Sequence, residues 1–371
     1  MLDAAQRVLA LAEGLGFALA GIAPAQPSRH GEAVRAWVAA GRHGTMEYLE
    51  RNLNVRLDPR ELLPGARSVI AVCDAYAAGD GAEEPSSARG RVARYAHGDD
   101  YHKVLKKRLH RLADALREEH PGEAFRVAVD TAPALERELA AAAGLGWQGK
   151  NTMMIHPRHG SYTLLGLVVT TLALPTSEES GYPGATVPGV DHCANCTRCI
   201  DACPTDAIDA KGYSIDASRC VSYLTIEHRG LIDEDLLPGV GEWVAGCDVC
   251  QEVCPYNEIG RRNPLPIHPR YNPSPRPRKL DAGLDLAELM SWTAEDRAEV
   301  FRGSALKRIK LSMIRRNAVV AAGNVLARRQ DGALREALRR CVEDDDQLVA
   351  TTAKRVWTRL EEAVGVGGSA G

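Results

Sequence analysis

Apolar positions along this chain switch repeatedly between helical and strand spacing. The opening LDAAQRVLALAEGLGFALAG places them every three or four residues and then runs them together, which predicts a helix entering a strand. RSVIAVCDAY and AFRVAVD read as buried strands. Between them, DYHKVLKKRLHRLADALREEH has the spacing of an amphipathic helix, and the cations Lys106, Lys107, Arg108 and Arg111 read as its solvated face. LERELAAAAGLG predicts another helix, stopped by Gly144 and Gly146. YTLLGLVVTTLAL is rich in strand formers and too short to span a bilayer. Residues 1–185 therefore read as an α/β domain interrupted by the loop GDGAEEPSSARG.

Residues 186–262 carry most of the cysteines and read as a ferredoxin-like domain. Residues 263–371 form a basic linker and a helical unit. RRNPLPIHPRYNPSPRPRK is proline-studded and lacks acid, so an extended crossing segment is expected. LKRIKLSMIRRNAVVAAGNVLARR, REALRRCVED and QLVATTAKRVWTRLEEAV read as packed helices of HEAT-like repeat type, and the tail GVGGSAG as disordered.

The 371 residues are 45% hydrophobic and 26% charged with a formal net charge of -3, which excludes a uniformly basic, nucleic-acid-coating molecule. The N-terminal stretch has no basic head before an apolar run and no twin-arginine leader, so a cytoplasmic protein without membrane association is expected. Thiols stay reduced there, and ten cysteines point to metal ligation rather than disulfides. A monomer is expected, since no coiled-coil pattern is present.

Cys193, Cys196, Cys199 and Cys203 follow C-x2-C-x2-C-x3-C-P. That spacing wraps three thiolates around one iron–sulfur cube and sends the fourth to another. Cys220, Cys247, Cys250 and Cys254 repeat the ending with their leading member displaced upstream. The cross-over logic assigns Cys193, Cys196, Cys199 and Cys254 to one 4Fe–4S cluster and Cys203, Cys220, Cys247 and Cys250 to the other. Structural zinc is the alternative, but it leaves both C-x3-C-P endings unexplained. Cys73 and Cys341 fall outside the pattern and read as plain buried thiols.

GLGWQGKN comes within one residue of a phosphate-binding loop, yet a helix precedes it and Asn151 stands where Ser or Thr is needed. Its glycines can still bring backbone close to a large ligand. Asp130 ends a strand: it reads either as a helix N-cap or as an acid placed for chemistry. His97 and His156 read as loop histidines, solvated or functional.

Taken together, ARYAHGDDYHKVLK, DTAPALERELAAAAGLGWQGKNTMMIHP, CANCTRCIDACPTDAI and CVSYLTIEHRG resemble the epoxyqueuosine reductase family, as does AAGRHGTMEYLERN with RLDPRELLPGARSVI. The resemblance runs from about residue 35 to Arg262. It implies that the α/β domain binds cobalamin and that the substrate is epoxyqueuosine at the wobble position of a tRNA with a GUN anticodon, reduced to queuosine with electrons from a reductant protein. It assigns Asp130 as proton donor, with a carboxyl expected to be raised by burial. Arg56, His97, Lys150, Asn151, Met153, His156, Ser161, Ser222 and Asp248 are implied around the corrin. Arg229, Arg261, Arg262, Arg276, Arg278, Lys307 and Arg308 are expected to meet tRNA, with Arg270, Lys279, Lys310, Arg315 and Arg316 extending that basic surface. A reductive dehalogenase-like reductase and a non-enzymatic ferredoxin-type carrier are the competing readings.

Overall fold

The computed structural model describes residues 2–76, 88–182, 185–273 and 280–367. Helix α1 (Leu2–Gly14) leads into strand β1 (Leu19–Pro24), and β2 (Ser68–Ala75) follows after short helices. Helix α2 (Tyr101–Glu119), strand β3 (Phe125–Ala128), helix α3 (Glu136–Ala142) and strand β4 (Thr163–Thr170) complete the N-terminal layer. The sheet order is β1-β2-β4-β3, and every neighbouring pair is antiparallel. The α/β alternation thus does not give the parallel neighbours it suggests. The α2 crossover makes β2 and β3 run the same way, but β4 inserts between them, antiparallel to both.

Burial on two faces explains why SVIAVC is apolar without alternation. Ile70 and Val72 join a core with Leu9 of α1 and Leu105, Leu109 and Leu112 of α2. Val69, Ala71 and Cys73 face the other side, against Leu139 and Ala140 of α3.

Arg108 departs from its expected place on a solvated face. It is 6% exposed, donates from Nη1 to Asp74 Oδ2 at 2.5 Å, and lies 4.0 Å over the Phe17 ring. The Tyr271 hydroxyl donates to the same carboxylate at 2.8 Å, tying the segment after the cysteines to the first domain. Asp74→Ala would strand a buried guanidinium, so a loss of about 3–5 kcal/mol is expected. An unchanged anaerobic melting temperature would show that the pair carries no stability.

In the cysteine-bearing region lie α4 (Val221–Ile226) and α5 (Pro255–Arg262); α6 (Leu311–Leu326), α7 (Gly332–Cys341) and α8 (Gln347–Gly367) follow. A narrow sheet of Arg89–Val92, Trp243–Ala245 and Leu284–Asp285 stitches three distant segments together. Val221 and Leu224 of α4 share one apolar core with Ala318 and Val319 of α6 and Val349 and Val356 of α8. The HEAT-like expectation therefore reduces to a helical C-terminal unit docked on the cysteine domain. The terminal helix continues to Gly367, three residues into the tail expected to be disordered.

The basic segment is also less extended than expected, because Arg261 and Arg262 end α5. Arg276, Arg278 and Lys279 lie outside the described residues, as does most of the GDGAEEPSSARG loop. Arg316 does not join a basic surface. It is fully buried, and its guanidinium donates to the carbonyls of Leu224, His228 and Gly230, fastening α6 to the end of α4. Arg315 pairs with Asp344. Cys73 and Cys341 are buried, as their positions suggested.

Candidate active site and cysteine clusters

The eight patterned thiols gather in two groups. Cys193, Cys196, Cys199 and Cys254 surround a cavity of about 30 Å³. Burial pushes the Cys199 thiol up to about 11, helped by the neighbouring Cys193, Cys254 and Cys196. Burial raises Cys247 too, with Cys220 and Cys203 as its sulfur neighbours. Cys250 is raised by burial and feels Cys247, Cys220 and, across the gap, Cys199. Such thiols ionise readily only when cations take the charge.

Among the described residues, no three Cys, His, Asp or Glu side chains converge as ligands of a single ion. A cube takes one thiolate per iron and leaves its sulfurs spread around it, and the two groups of four thiols are compatible with two cubes. The Cys-Pro ending has a local cause: Cys254 is the N-cap of α5 with Pro255 in its first turn, and the Tyr256 and Asn257 N–H groups of that turn partly offset the burial that raises its thiol.

Lys150 and Asn151 belong to this region. Lys150 Nζ donates to the carbonyls of Ala194 at 2.6 Å and Cys196 at 3.1 Å. Asn151 donates to Cys250 O at 3.2 Å and accepts from the Met153 N–H at 3.1 Å. Both side chains brace the cysteine loops, and these contacts are not ones the corrin assignment requires. The glycines nearby serve the chain itself: at Gly146 (φ +147) an added Cβ would lie 2.2 Å from Ile155 O. Close approach there is to the hairpin formed by Trp147–Gln148 with Met154–Ile155.

Asp130 is not a helix cap, for α3 begins six residues later with Leu135 as its N-cap. It has φ 42, a conformation asparagine and aspartate tolerate better than most residues. Glu136 Oε1 accepts its backbone N–H at 2.5 Å. The carboxylate is 43% exposed, yet groups from several elements face it. His102 Nε2 lies 2.8 Å from Asp130 Oδ2, and His102 Nδ1 lies 2.8 Å from Asp100 Oδ1. Burial pulls the His102 imidazole down, but these two carboxylates outweigh it and push it up to about 9. Burial likewise acts to raise Asp130, but the His102 hydrogen bond and charge, the Arg308 charge and the Tyr101 hydroxyl outweigh it. Its carboxyl is therefore held below the ordinary value by these partners. The sequence could not show the partner, since His102 reaches Asp130 only because α2 starts beside the end of β3.

Around Asp130, Glu136 is pushed up to about 8 by burial and by Asp130 itself. Arg56, half-buried, donates from Nη1 to Ala134 O at 3.4 Å, and its buried Nε has no partner. Arg308 pairs with Glu227 at 2.6 Å, and burial raises the Glu227 carboxyl against the opposing charges of Arg308 and Arg229. Lys307, beside Arg308, is exposed. Tyr48, Tyr101, Glu136 and Glu227 were not singled out in the sequence; the D-Y-H run starting α2 was the available signal.

The remaining assigned residues are spread more widely. His97 Nε2 lies 3.0 Å from Val92 O, and burial lowers its imidazole. Asp248 is 2% exposed, accepts the Arg94 N–H at 2.8 Å, and is pushed up to about 6 by burial. Ser161 is fully buried and donates to Gln251 Oε1 at 2.9 Å, bridging the first domain to the cysteine domain. His156 is buried, accepts the Arg158 N–H at 3.1 Å and packs on His159. Ser222, half-buried, lies in the first turn of α4, two residues after Cys220.

The group of side chains facing Asp130 connects to the second thiol group through Arg137. Cys220 feels the charge of Arg137, the residue after Glu136, and Arg137 donates to Thr152 O at 3.0 Å.

Comparisons with known proteins show which proteins this chain is similar to. The family described as epoxyqueuosine reductase QueG, DUF1730, matches residues 56–131, and a 4Fe-4S double cluster binding domain matches residues 192–257. An epoxyqueuosine reductase of Burkholderia pseudomallei is 40% identical over 346 residues, covering 87% of this chain and 82% of the relative. A crystal structure of epoxyqueuosine reductase with a tRNA-Tyr epoxyqueuosine-modified stem loop superposes with a TM-score of 0.82 at 26% identity, covering 98% of this chain and 94% of that one. The Bacillus subtilis enzyme gives the same TM-score, identity and coverage, and is described with its catalytic aspartate loop swung out of the active site.

Proposed function

This chain belongs to the epoxyqueuosine reductase family of oxidoreductases, and on that premise we propose that it reduces epoxyqueuosine in tRNA to queuosine, with Asp130 delivering a proton and two 4Fe–4S clusters delivering electrons. The observation that carries this reading is the adjacency of an acid–histidine–acid chain, Asp130–His102–Asp100, to the Cys203, Cys220, Cys247 and Cys250 group. Acid and electron source are then linked through Glu136 and Arg137.

The donor set around Asp130 is compatible with a corrin's amide and phosphate groups. Arg56 offers a buried, partnerless N–H for an amide or phosphate acceptor, facing the same space as Asp130, Glu136 and Tyr48. Ser222 and Met153 would approach from the cysteine side; His97, His156, Ser161 and Asp248 would support from behind. When bound, cobalamin supplies strongly reducing cobalt chemistry for opening a strained epoxide.

The chain's own part is the proton. At neutral pH the proton sits on His102, shared with Asp130 across 2.8 Å. As the epoxide C–O bond breaks, the oxygen becomes strongly basic and takes the proton through Asp130, while Asp100 keeps His102 oriented. Arg229, Lys307 and Arg308 would hold the anticodon loop at the cleft mouth, where the wobble base must leave its stack.

A test follows from the direction of the His102 shift. Turnover should be flat below about pH 9 and fall as pH rises through that value, because His102 then loses its proton. The stability this proton contributes is full below the ordinary imidazole value of 6.5 and is lost as pH rises from there through about 9. His102→Gln should erase the alkaline limb; a limb that persists unchanged belongs to another group. The function itself is tested by anaerobic incubation with epoxyqueuosine-containing tRNA, cobalamin and dithionite, followed by nucleoside analysis. Absence of queuosine overturns the reading.

A further inference from the structure

A large open cleft of about 1290 Å³ is lined by neither Asp130 nor its facing groups His102, Glu136 and Arg308. Cys254 and Pro255 form part of its wall, so it borders the first thiol group. Six arginines and four carboxylates line it. Arg91 and Arg94 share Glu252, and Arg328 pairs with Glu242. Arg198, Arg261 and Arg329 are exposed and make no ion pair among the described residues, which leaves the cleft an excess of positive charge.

Helix α6 fixes where this cleft stands relative to the other. Arg308 precedes its N-terminus at the Asp130 cleft, and Arg328 and Arg329 follow its C-terminus at this one. Sixteen residues rising about 1.5 Å each separate the two ends by roughly 24 Å. A base held at Asp130 therefore does not occupy this cleft. The thiol groups run between the two: Cys254 borders the arginine cleft, Cys199 neighbours Cys250, and Cys220 adjoins Arg137 beside the Asp130 cleft.

We infer that the arginine cleft is the docking site of a small acidic one-electron carrier protein, delivering electrons to the cluster held by Cys193, Cys196, Cys199 and Cys254. This rests on the proposed cluster assignment. Charge complementarity selects the occupant: an acidic protein face is steered to unpaired arginines and presents its redox group to the cluster edge. Each encounter oxidises the carrier by one electron and reduces the cluster by one, with no bond made or broken. Two encounters and two protons convert one epoxide to the alkene and water.

Purified flavodoxin in its hydroquinone form is the probe, used with the anaerobic, cluster-loaded protein. In Arg328→Glu/Arg329→Glu, and separately in Arg198→Gln, bleaching of cluster absorbance by sub-saturating flavodoxin should slow at least tenfold. Flavodoxin Kd by titration calorimetry should rise at least tenfold, with a flatter salt dependence. Iron content, bleaching by dithionite and affinity for an unmodified tRNA stem loop should stay as in the parent. Unchanged flavodoxin binding overturns the proposal, and so does a selective loss of stem-loop affinity, which would make the cleft an RNA surface. Failure of the dithionite-driven tRNA reaction would instead count against the proposed function.

Discussion

Asp130→Asn is expected to bind its clusters and corrin normally and to turn over about 10² to 10⁴ times more slowly, the usual worth of a positioned general acid. Asparagine keeps the shape and can still accept from His102, so the backbone at φ 42 has no reason to move. What it lacks is a site through which the His102 proton reaches the epoxide oxygen. The measurement is single-turnover queuosine formation alongside the anaerobic absorption spectrum. Parent-like turnover with an intact spectrum would remove Asp130 from the reaction. The companion His102→Gln should lose less, because a carboxyl without its imidazole can still take a proton from water. The order of these two losses separates a relay ending at Asp130 from one in which His102 acts alone.

The second large effect concerns the crossing of ligands. Cys203→Ser should leave the Cys193–Cys196–Cys199–Cys254 cluster in place and lose the other, while Cys254→Ser does the reverse; each should abolish turnover. Iron content should fall by about half in both, as expected when one of two cubes loses a ligand. Paramagnetic resonance of the reduced proteins should then show two different surviving signals. If Cys203→Ser and Cys199→Ser lost the same signal, the four cysteines of the first run would serve one cube and the cross-over would be wrong. The structure favours the cross-over because Cys254 joins the cavity of Cys193, Cys196 and Cys199, whereas Cys203 neighbours Cys247 and Cys220.

Much of this was legible in the chain. Cysteine spacing is a local property, since three or four residues of loop decide which thiolates reach one cube. The helices and buried strands were legible for a similar reason, as periodicity of apolar residues reports burial directly. The motifs from about residue 35 to Arg262 carried the family resemblance, which the comparisons bear out.

What the chain could not show was decided by neighbours far away in sequence. Arg108 looked solvated because its helix is highly charged, and only the packing of α2 on the sheet brings it to Asp74. Arg316 sat in a basic run, yet it lies buried against carbonyls some 90 residues away. Asp130 looked like a cap or a buried acid awaiting a raised pKa; the tertiary fold gave it His102 and thereby moved the proton to the imidazole. Short-range spacing determined the cofactor class and the elements. Long-range packing alone set ionisation and adjacency, because a charge responds to whatever lies within a few ångströms, however distant in the chain.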